Sequence, residues 1–417
     1  MVPDHAGAAP GIRGAVMNSG SASHGALKIL LHYPVLNTGG AEHSTLRLMS
    51  ALVERGCEVH LVLTVGGGSL EPRIDPRVAV HHLRDGIGDL PTRVTEFSDA
   101  IRFVRAALGW LRGRVQQAWR SRRFHAMAFD AAIVGLHGTS PAFVCRHVRA
   151  RQRMVMVRND ATDDARGRLR RNVVQYGAVI DTYVCVSGTV RDALVARFPQ
   201  LAPKSVCIYN LLQPERMRAQ AAAAPDPFIV AGDRQGPRVL SVCRLQESQK
   251  ALLRMVDVHR RLLSDGIAHT WHVLGDGPDR GLLEQAIAAH GVAGSFILHG
   301  AVSNPFPWYV HADLVAVLSR YEGLCGVVNE ARVLERPVIA TRFAGIDEQI
   351  ESGVNGLIVE QDIDAIVAGM RRLLGDAALR SRLAAGGYPD ALMDDGAKID
   401  ALLALVAPPL HRAGMGS

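Results

Sequence analysis

The chain has 417 residues, of which 48% are hydrophobic and 21% are charged. This length exceeds one ordinary hydrophobic core and suits two domains of about 200 residues each. The composition excludes a disordered chain, a collagen-like chain and a coiled coil. No apolar run approaches the roughly 20 residues that a membrane helix needs, so no segment is predicted to span a bilayer.

The first 26 residues are rich in Gly, Ala and Ser and lack an apolar core. They are therefore predicted to be a disordered lead-in and not a secretory signal. The six cysteines are scattered, with no CxxC pair and no neighbouring His cluster. Buried, reduced thiols in the cytosol are expected, and neither a disulfide framework nor a zinc site is predicted.

Positive charge is concentrated in the first half of the chain. Residues 1–210 contain 27 Lys and Arg against 16 Asp and Glu, whereas residues 211–417 contain 20 against 24. The excess is greatest over 101–158, where 12 Arg accompany one acid, Asp130. One half of the molecule is therefore predicted to face an anionic partner: a membrane surface, a nucleic acid or an acidic substrate.

Strands and helices are predicted to alternate from Leu27 onward. The apolar run at 28–32 predicts a first strand, and the spacing of Leu46, Met49 and Leu52 predicts a helix over 41–55. Further strands are predicted at 58–65, 78–83, 131–136, 154–157 and 183–186, with a long basic helix at 96–120. Continuous Val, Ile and Leu strands separated by helices indicate a parallel sheet covered on both faces.

A second alternation follows an Ala- and Pro-rich stretch at 213–236, which is predicted to be a linker between two domains. Its strands are predicted at 238–242, 271–274, 296–298, 314–318, 337–340 and 357–359. The domains are placed at 27–212 and 237–395, and a helix within 396–417 is expected to pack back on the first domain. The predicted fold class is α/β, with two facing, doubly wound domains that bind ligands in the cleft between them.

One run after a predicted strand carries two carboxylates around a glycine-containing loop. Glu322 and Glu330 lie eight residues apart, with Gly323 and Gly326 between them. Glycines allow backbone N–H groups to approach a ligand, and the start of a helix favours anions such as phosphate. Ionised carboxylates accept hydrogen bonds from ribose or hexose hydroxyls. The alternative is that Glu330 simply lies in the first turn of a helix, where acidic residues are favoured in any case.

Two cations, Arg244 and Lys250, follow the strand predicted at 238–242. They would clamp a diphosphate at the carboxyl end of that strand, the alternative being two solvated surface charges. Gly39 and Gly40 open a helix after the first strand, which suits a phosphate but also a plain turn. The pair is not GxGxxG, so a nicotinamide cofactor is not predicted.

Together these residues resemble a known family. The chain is similar to the retaining GT-B glycosyltransferases of glycosyltransferase family 4, in the style of those that build capsular, exopolysaccharide and lipopolysaccharide chains. The similarity covers about residues 27–380. It is carried by Gly39-Gly40-Ala41-Glu42, Arg244 with Lys250, Gly275-Asp276-Gly277-Pro278, Asn304-Pro305-Phe306-Pro307-Trp308-Tyr309, the Glu322/Glu330 pair and Gly353-Val354-Asn355-Gly356-Leu357.

The resemblance implies a UDP- or GDP-sugar as donor and no cofactor. Glu330 would hold the ribose hydroxyls and Glu322 those of the donor sugar. Arg244 and Lys250 would neutralise the diphosphate in place of a metal. The other donor contacts would come from the backbone: the amides of Gly326 and Val327 at the distal phosphate, the region of Leu298 and Gly300 at the base, and Gly39, Gly40, Gly275, Gly323, Leu324 and Cys325 around them.

The chain departs from the family pattern in three places. Five residues separate Arg244 from Lys250 where four are usual, and Cys243 stands where a Gly is usual. A His often follows the strand that corresponds to 154–157, but this chain has Arg158 and Asp160 there. Asp160 or Arg158 would take its place, with His137 as a second candidate, or catalysis would depend on the donor phosphate alone.

Two further features remain. Asp362-Ile363-Asp364 resembles a metal motif, but it precedes an apolar-periodic stretch and is interpreted as acids at the start of a helix.

In the basic helix Leu108, Leu111 and Val115 share a face with Trp119. The residues predicted to contact an anionic membrane are Arg112, Trp119, Arg120, Arg122 and Arg123; the alternative is an ordinary packing helix with a basic outer face.

The sequence thus predicts a metal-independent hexosyltransferase that moves a sugar to a lipid-linked or oligosaccharide acceptor. It would be cytoplasmic and peripheral on the inner face of the cytoplasmic membrane. The alternatives are a sugar-nucleotide epimerase on the same fold and a non-catalytic, basic nucleic-acid-binding protein. Aromatic residues make up only 5% of the chain and no nucleic-acid-binding motif occurs, which disfavours a nucleic-acid partner.

Overall fold

The computed structural model describes residues 26–37, 39–85, 97–159, 167–230 and 236–406. The side chains of the helix that begins at residue 97 are described from residue 108 on. Asp160, nearly all of the predicted lead-in, the end of the predicted linker and the last 11 residues of the tail lie outside the described residues.

Seven parallel strands form the sheet of the first domain, in the order β3-β2-β1-β4-β5-β6-β7. Ile29 of the central strand pairs with Val59 on one side and with Ala131 on the other. The strand order runs outward in both directions from the centre, which is the doubly wound arrangement. The strands are β1 (Lys28–Tyr33), β2 (Glu58–Val65), β3 (Ala79–Arg84), β4 (Ala128–Val134), β5 (Arg149–Val157), β6 (Thr182–Cys185) and β7 (Ser205–Cys207).

Six parallel strands form the sheet of the second domain, in the order β10-β9-β8-β11-β12-β13. Val239 pairs with Trp271 on one side and with Leu314 on the other, so this sheet is also doubly wound. The strands are β8 (Arg238–Val242), β9 (Thr270–Leu274), β10 (Phe296–Gly300), β11 (Leu314–Val317), β12 (Val338–Thr341) and β13 (Leu357–Val359). Strands buried on both faces explain the continuous apolar runs in the sequence.

Helices connect the strands and cover both faces of each sheet. In the first domain and the crossover they are α1 (Gly40–Glu54), α2 (Phe97–Ser121), α3 (Ala142–His147), α4 (Arg168–Tyr176), α5 (Gly188–Arg197), α6 (Pro214–Ala222) and α7 (Pro227–Val230). The later helices are α8 (Glu247–Lys250), α9 (Leu252–Ser264), α10 (Arg280–Ala289), α11 (Phe306–His311), α12 (Gly326–Val333), α13 (Ile346–Gln349), α14 (Ile363–Gly375), α15 (Ala377–Ala384), α16 (Asp390–Met393) and α17 (Asp395–Val406). Short 3₁₀ turns occur at Glu71–Arg73, Arg122–His125 and Pro199–Lys204.

The stretch expected to be a linker is largely helical where it is described. Met217 of α6 and Phe228 of α7 are buried in the core under the second sheet. At the other end of the chain, α17 buries Ile399 and Leu402 in the core under the first sheet. Asp395 at the start of α17 accepts hydrogen bonds from the backbone N–H of Leu212 at 2.9 Å. The last described helix therefore ties the crossover between the domains to the first domain.

The carboxyl edges of the two sheets face each other. Gly323, in the loop after β11, lies against the carbonyl oxygen of Arg158, which follows β5: a Cβ at Gly323 would be 2.3 Å from that oxygen. Ser187, after β6, donates a hydrogen bond from its Oγ to the Gly323 carbonyl at 3.2 Å. Leu324 packs into the core of the first domain. The prediction of two facing doubly wound domains is therefore confirmed.

Candidate active site

The loop after β8 carries Arg244 and Lys250. Arg244 is exposed and, among the described residues, forms no ion pair. Lys250 ends the short helix α8, and the next residue, Ala251, adopts a left-handed conformation with φ 51° and ψ 53°. This break between α8 and α9 accommodates the five residues that separate Arg244 from Lys250, because it leaves the Lys250 side chain directed towards Glu322.

Glycines allow the neighbouring loop to hold this segment closely. Gly275 has φ +132°, and a Cβ there would lie 1.8 Å from the carbonyl oxygen of Cys243. Its N–H donates to the carbonyl of Gly300 at 2.7 Å, at the carboxyl end of the edge strand β10. Leu298 is half-buried in the same strand. The structure therefore brings Gly275, Leu298 and Gly300 together, with Gly275 packed against the segment that bears Arg244.

Glu322 and Lys250 form an ion pair within the second domain. The Glu322 carboxylate is buried, and its second oxygen lies 3.4 Å from the Gln249 side-chain nitrogen. Burial alone would lower the pKa of Lys250, but the adjacent Glu322 carboxylate outweighs it and the pKa is raised. Lys250 is therefore a firmly charged cation beside the proposed sugar-binding carboxylate.

The turn before α12 is held by Gln349. Its side-chain oxygen accepts the Cys325 N–H at 2.9 Å, and its nitrogen donates to the Cys325 carbonyl at 2.9 Å. Burial raises the pKa of the Cys325 thiol to about 12, so this Cys is inert. The Cys325 N–H is already bonded, and the Val327 N–H lies beside the Cys325 sulfur. The amide of the exposed Gly326 is therefore the one at the start of α12 that is most open to an anion. Gly323, Leu324 and Cys325 instead anchor the loop.

Glu330 lies at the cleft and has a partner on each oxygen. Its Oε1 pairs with the Nη2 of Arg47 at 3.1 Å, and Arg47 belongs to α1 of the first domain. Its Oε2 accepts a hydrogen bond from the Tyr309 hydroxyl at 2.9 Å. Burial and the Glu330 charge raise the pKa of Tyr309 far above its usual value, so Tyr309 remains a donor.

The start of α1 forms the opposite wall. The backbone of Gly39 is extended, with φ −178°, and a Cβ there would lie 2.3 Å from the Oε2 of Glu42. Burial raises the pKa of Glu42, and the positive charges of Arg158 and Arg244 offset part of this rise. Glu42 and Arg244 therefore interact electrostatically across the two domains, beside the exposed Gly40.

Arg158 is buried in the first domain, and its backbone carbonyl packs against Gly323 of the second. Its guanidinium donates to the Gly135 carbonyl at 3.0 Å, to the Asn210 side-chain oxygen at 2.9 Å and to the Thr45 hydroxyl at 3.2 Å. Burial lowers its pKa. The His137 ring lies 3.4 Å from the Arg158 N–H, so it too is packed within this domain. Asp160 lies outside the described residues.

The acids of the DxD sequence serve helix α14. Asp362 caps the helix by accepting the Ala365 N–H at 2.9 Å, and Asp364 pairs with Arg261 at 2.8 Å. These contacts agree with the interpretation of both as acids at the start of a helix. Over the described ranges, no group of three or more His, Cys, Asp or Glu side chains is arranged to hold a metal ion.

Helix α2 presents an apolar stripe to solvent. Leu108, Leu111, Val115 and Trp119 are between 55% and 70% exposed, and Arg112, Arg122 and Arg123 beside them are exposed. Arg120 differs from the prediction: it pairs with Asp85 at 3.0 Å, which fixes the helix to the end of β3. None of the described helices combines the length and the hydropathy that a bilayer crossing requires.

Sequence reasoning missed Arg47 and assigned no role to Tyr309. Arg47 follows His43 by four residues, which places both on one face of α1, and Gly39 caps the start of that helix. That spacing was an available signal for a cleft-facing cation. Tyr309 stands within a motif that carries the family resemblance, but its contact with Glu330 depends on how α11 packs beside α12.

Family models match both domains of the chain. The family model described as Glycosyl transferases group 1 matches residues 236–376, and the model described as Glycosyltransferase Family 4 matches residues 38–216. The two-domain architecture is the GT-B fold. Residues 38–216 thus match a glycosyltransferase family 4 domain, and residues 236–376 match a group 1 glycosyl transferase domain.

Individual relatives are distant. Alpha-D-kanosaminyltransferase of Streptomyces kanamyceticus is 32% identical over 37% of this chain and 40% of that protein. The lipopolysaccharide core biosynthesis glycosyltransferase LpsE of Rhizobium meliloti is 29% identical over 47% of this chain and 58% of that protein. The matches thus span about half the length of these relatives. The crystal structure of Anabaena HepE in complex with UDP superposes with a TM-score of 0.67 at 18% identity, covering 91% of this chain and 98% of that one.

Proposed function

We propose that the protein transfers a sugar from a nucleotide diphosphate donor to a lipid-linked or oligosaccharide acceptor, with retention of anomeric configuration. The observation that carries the proposal is the buried Lys250–Glu322 ion pair of the second domain. Two further contacts with the first domain support it: Glu330 pairs with Arg47, and the charge of Arg244 acts on Glu42. The relatives support it, since their names describe sugar transfer and, in LpsE, lipopolysaccharide core synthesis. The UDP bound by Anabaena HepE supports a uridine donor, with a GDP-sugar as the other candidate.

In this proposal the second domain makes the diphosphate a good leaving group. Lys250 gives one of its three N–H donors to Glu322 and keeps two for phosphate oxygens. The exposed Arg244 and the amide of Gly326 add further donors where charge develops as the sugar–phosphate bond breaks. The two side-chain cations would do the work that a divalent metal does in other enzymes.

The acceptor would approach from the first domain. An oxocarbenium-like centre would meet the acceptor hydroxyl on the face that the phosphate is leaving, and a donor phosphate oxygen would take the hydroxyl proton. This course needs no side-chain base. It suits a chain in which Arg158 and His137, two of the candidates for the family His, are engaged in hydrogen bonds inside the first domain.

A panel of UDP- and GDP-sugars would test the donor class, with thermal shift and donor hydrolysis as the two measurements. A ligand at one hundred times its Kd adds about 2.7 kcal/mol to the free energy of unfolding, a shift that is easily measured. Glu330→Gln should lose the shift. Glu215→Gln, which removes an exposed carboxylate near Arg218 on α6, is the control and should keep it. Absence of any nucleotide-sugar shift, or an unchanged shift in Glu330→Gln, contradicts the proposal.

The proposal includes reversible docking on an anionic membrane through helix α2. The exposed stripe from Leu108 to Trp119, flanked by exposed Arg112, Arg122 and Arg123, has the amphipathic and cationic character of an interfacial helix. Trp110 adds a second exposed ring, with the Arg114 guanidinium 5.4 Å from its centre. Docking on the inner face of the cytoplasmic membrane would place the cleft beside a lipid-linked acceptor.

A further inference from the structure

Arg47 and Glu330 form an ion pair between the two domains. Arg47 lies on α1, and its Nη2 is 3.1 Å from the Oε1 of Glu330 on α12. The side chains are 19% and 16% exposed, so the pair is largely shielded from solvent. A pair in this setting is screened less by salt than a surface pair, and its geometry is held by both domains.

Tyr309 completes the arrangement around Glu330. Its hydroxyl donates to the Oε2 at 2.9 Å, so each carboxylate oxygen has one donor. The two carboxylate oxygens together offer about four lone-pair sites. Arg47 and Tyr309 occupy one on each oxygen and leave one on each. Two vicinal hydroxyls, such as those of a ribose, match the sites that remain.

We propose that Arg47 is a positioning residue of the donor site, supplied by the first domain. It holds the Glu330 carboxylate in the orientation that accepts both ribose hydroxyls. This inference rests on the proposed role of Glu330 in donor binding. Because Arg47 and Glu330 belong to different domains, the ribose site is complete only when the domains are closed on each other.

The test measures nucleotide binding by calorimetry and donor kinetics on the full chain. The ligands are the nucleoside diphosphate that stabilises the wild type and its 2′,3′-dideoxy analogue. The variants are Arg47→Gln, Arg47→Lys and Glu330→Gln. The control is Arg55→Gln, which removes the same charge at the residue that follows α1 and breaks an exposed ion pair with Asp400. Arg55 lies eight residues beyond Arg47, about 12 Å along the helix at 1.5 Å per residue.

We expect Arg47→Gln to weaken binding of the diphosphate about tenfold, the loss that one charge-assisted hydrogen bond typically causes. The donor KM should rise by a similar factor while kcat changes less than about twofold. Arg47→Lys should recover part of the affinity, and Arg55→Gln should bind as the wild type does. The dideoxy analogue should bind equally well to the wild type and to Arg47→Gln, because it lacks the hydroxyls that Glu330 accepts.

Three results would overturn the inference. Equal weakening of the diphosphate and the dideoxy analogue in Arg47→Gln would show that Arg47 acts on the phosphates or on domain packing. If Arg47→Gln binds the diphosphate as the wild type does while Glu330→Gln does not bind it, the positioning role of Arg47 is excluded and the proposed function still stands. Wild-type binding by Glu330→Gln would remove the ribose role of Glu330 and the positioning role of Arg47 together.

Discussion

Glu348 of the second domain caps a helix of the first through Thr189. Its Oε1 accepts the Thr189 backbone N–H at 2.7 Å and the Thr189 hydroxyl at 2.6 Å. Its Oε2 accepts the Gly188 N–H at 2.8 Å and the Tyr209 hydroxyl at 2.9 Å. A carboxylate at the start of α5 is favoured by the free N–H groups and by the helix dipole. Four hydrogen bonds to one side chain therefore link the two domains.

The first prediction concerns the pH dependence of this link. Burial would raise the pKa of Glu348, but the bonds from Thr189 and Gly188 outweigh it and lower the pKa. The link therefore contributes its full stability above the unfolded pKa of about 4.3, and loses it as the pH falls through the lower folded value. Glu348→Gln should lower the free energy of unfolding by about 1–2 kcal/mol at pH 7.

The difference between wild type and Glu348→Gln should shrink as denaturant unfolding is repeated from pH 7 towards pH 3. Glu351→Gln removes an exposed carboxylate nearby and serves as the control. A difference that stays constant over this pH range would show that Glu348 does not act through its charge.

The second prediction separates the two carboxylates of the site. Glu330→Ala should mainly raise the donor KM, because ribose contacts are the same in the ground state and the transition state. Glu322→Ala should mainly lower kcat, by about tenfold to a hundredfold, because contacts near the reacting carbon strengthen in the transition state and Lys250 loses its partner. Steady-state kinetics with varied donor concentration measure both effects. Wild-type kcat and KM in both variants would contradict the assignment of Glu322 and Glu330 to the donor site.

The third prediction concerns the cations. Arg244→Ala should lower turnover at least about tenfold, since a charge-assisted bond to the leaving diphosphate is worth about 1.5–3 kcal/mol. Arg261→Ala, which removes an Arg paired with Asp364 on the helices behind the site, is the control. Activity should persist in EDTA. If EDTA abolishes activity and magnesium or manganese restores it, the enzyme requires a divalent metal and this prediction is wrong.

The fourth prediction concerns helix α2. The protein should co-sediment with phosphatidylglycerol liposomes at low salt, and salt should weaken the binding. Each basic residue near an acidic leaflet contributes about 1 kcal/mol, so changing Arg112, Arg122 and Arg123 to Gln should reduce partitioning about a hundredfold. The matched control changes Arg77, Arg191 and Arg218 to Gln, which removes three exposed charges elsewhere.

Trp119→Ser should weaken liposome binding without altering its salt dependence, because it removes apolar contact and no charge. If the wild type stays in the supernatant with anionic liposomes at low salt, α2 is a packing helix only. In that case a water-soluble oligosaccharide becomes the better acceptor candidate.

Local patterns predicted the elements well. The strands at 58–65, 238–242 and 357–359 have the predicted bounds, because a parallel strand buried on both faces is a short continuous apolar run with polar or glycine neighbours. The stretch at 213–236 was harder. Its helices are short, and Met217 and Phe228 can be recognised as core residues only once the second sheet that they pack under is known.

The sequence by itself determined the two doubly wound domains, the grouping of Glu322 with Glu330 on one loop and helix, and the cations after β8, because these depend on residues close together in the chain. The tertiary structure alone decided which groups meet across the cleft. Arg47 reaches Glu330 over 283 residues of sequence, and Glu348 reaches Gly188 over 160. Such pairs depend on the angle at which the two domains pack, and no local periodicity encodes that angle. Within the first domain, Arg158 is a buried donor to Gly135, Asn210 and Thr45, which lie 23, 52 and 113 residues away in the sequence, so local patterns do not reveal these contacts either.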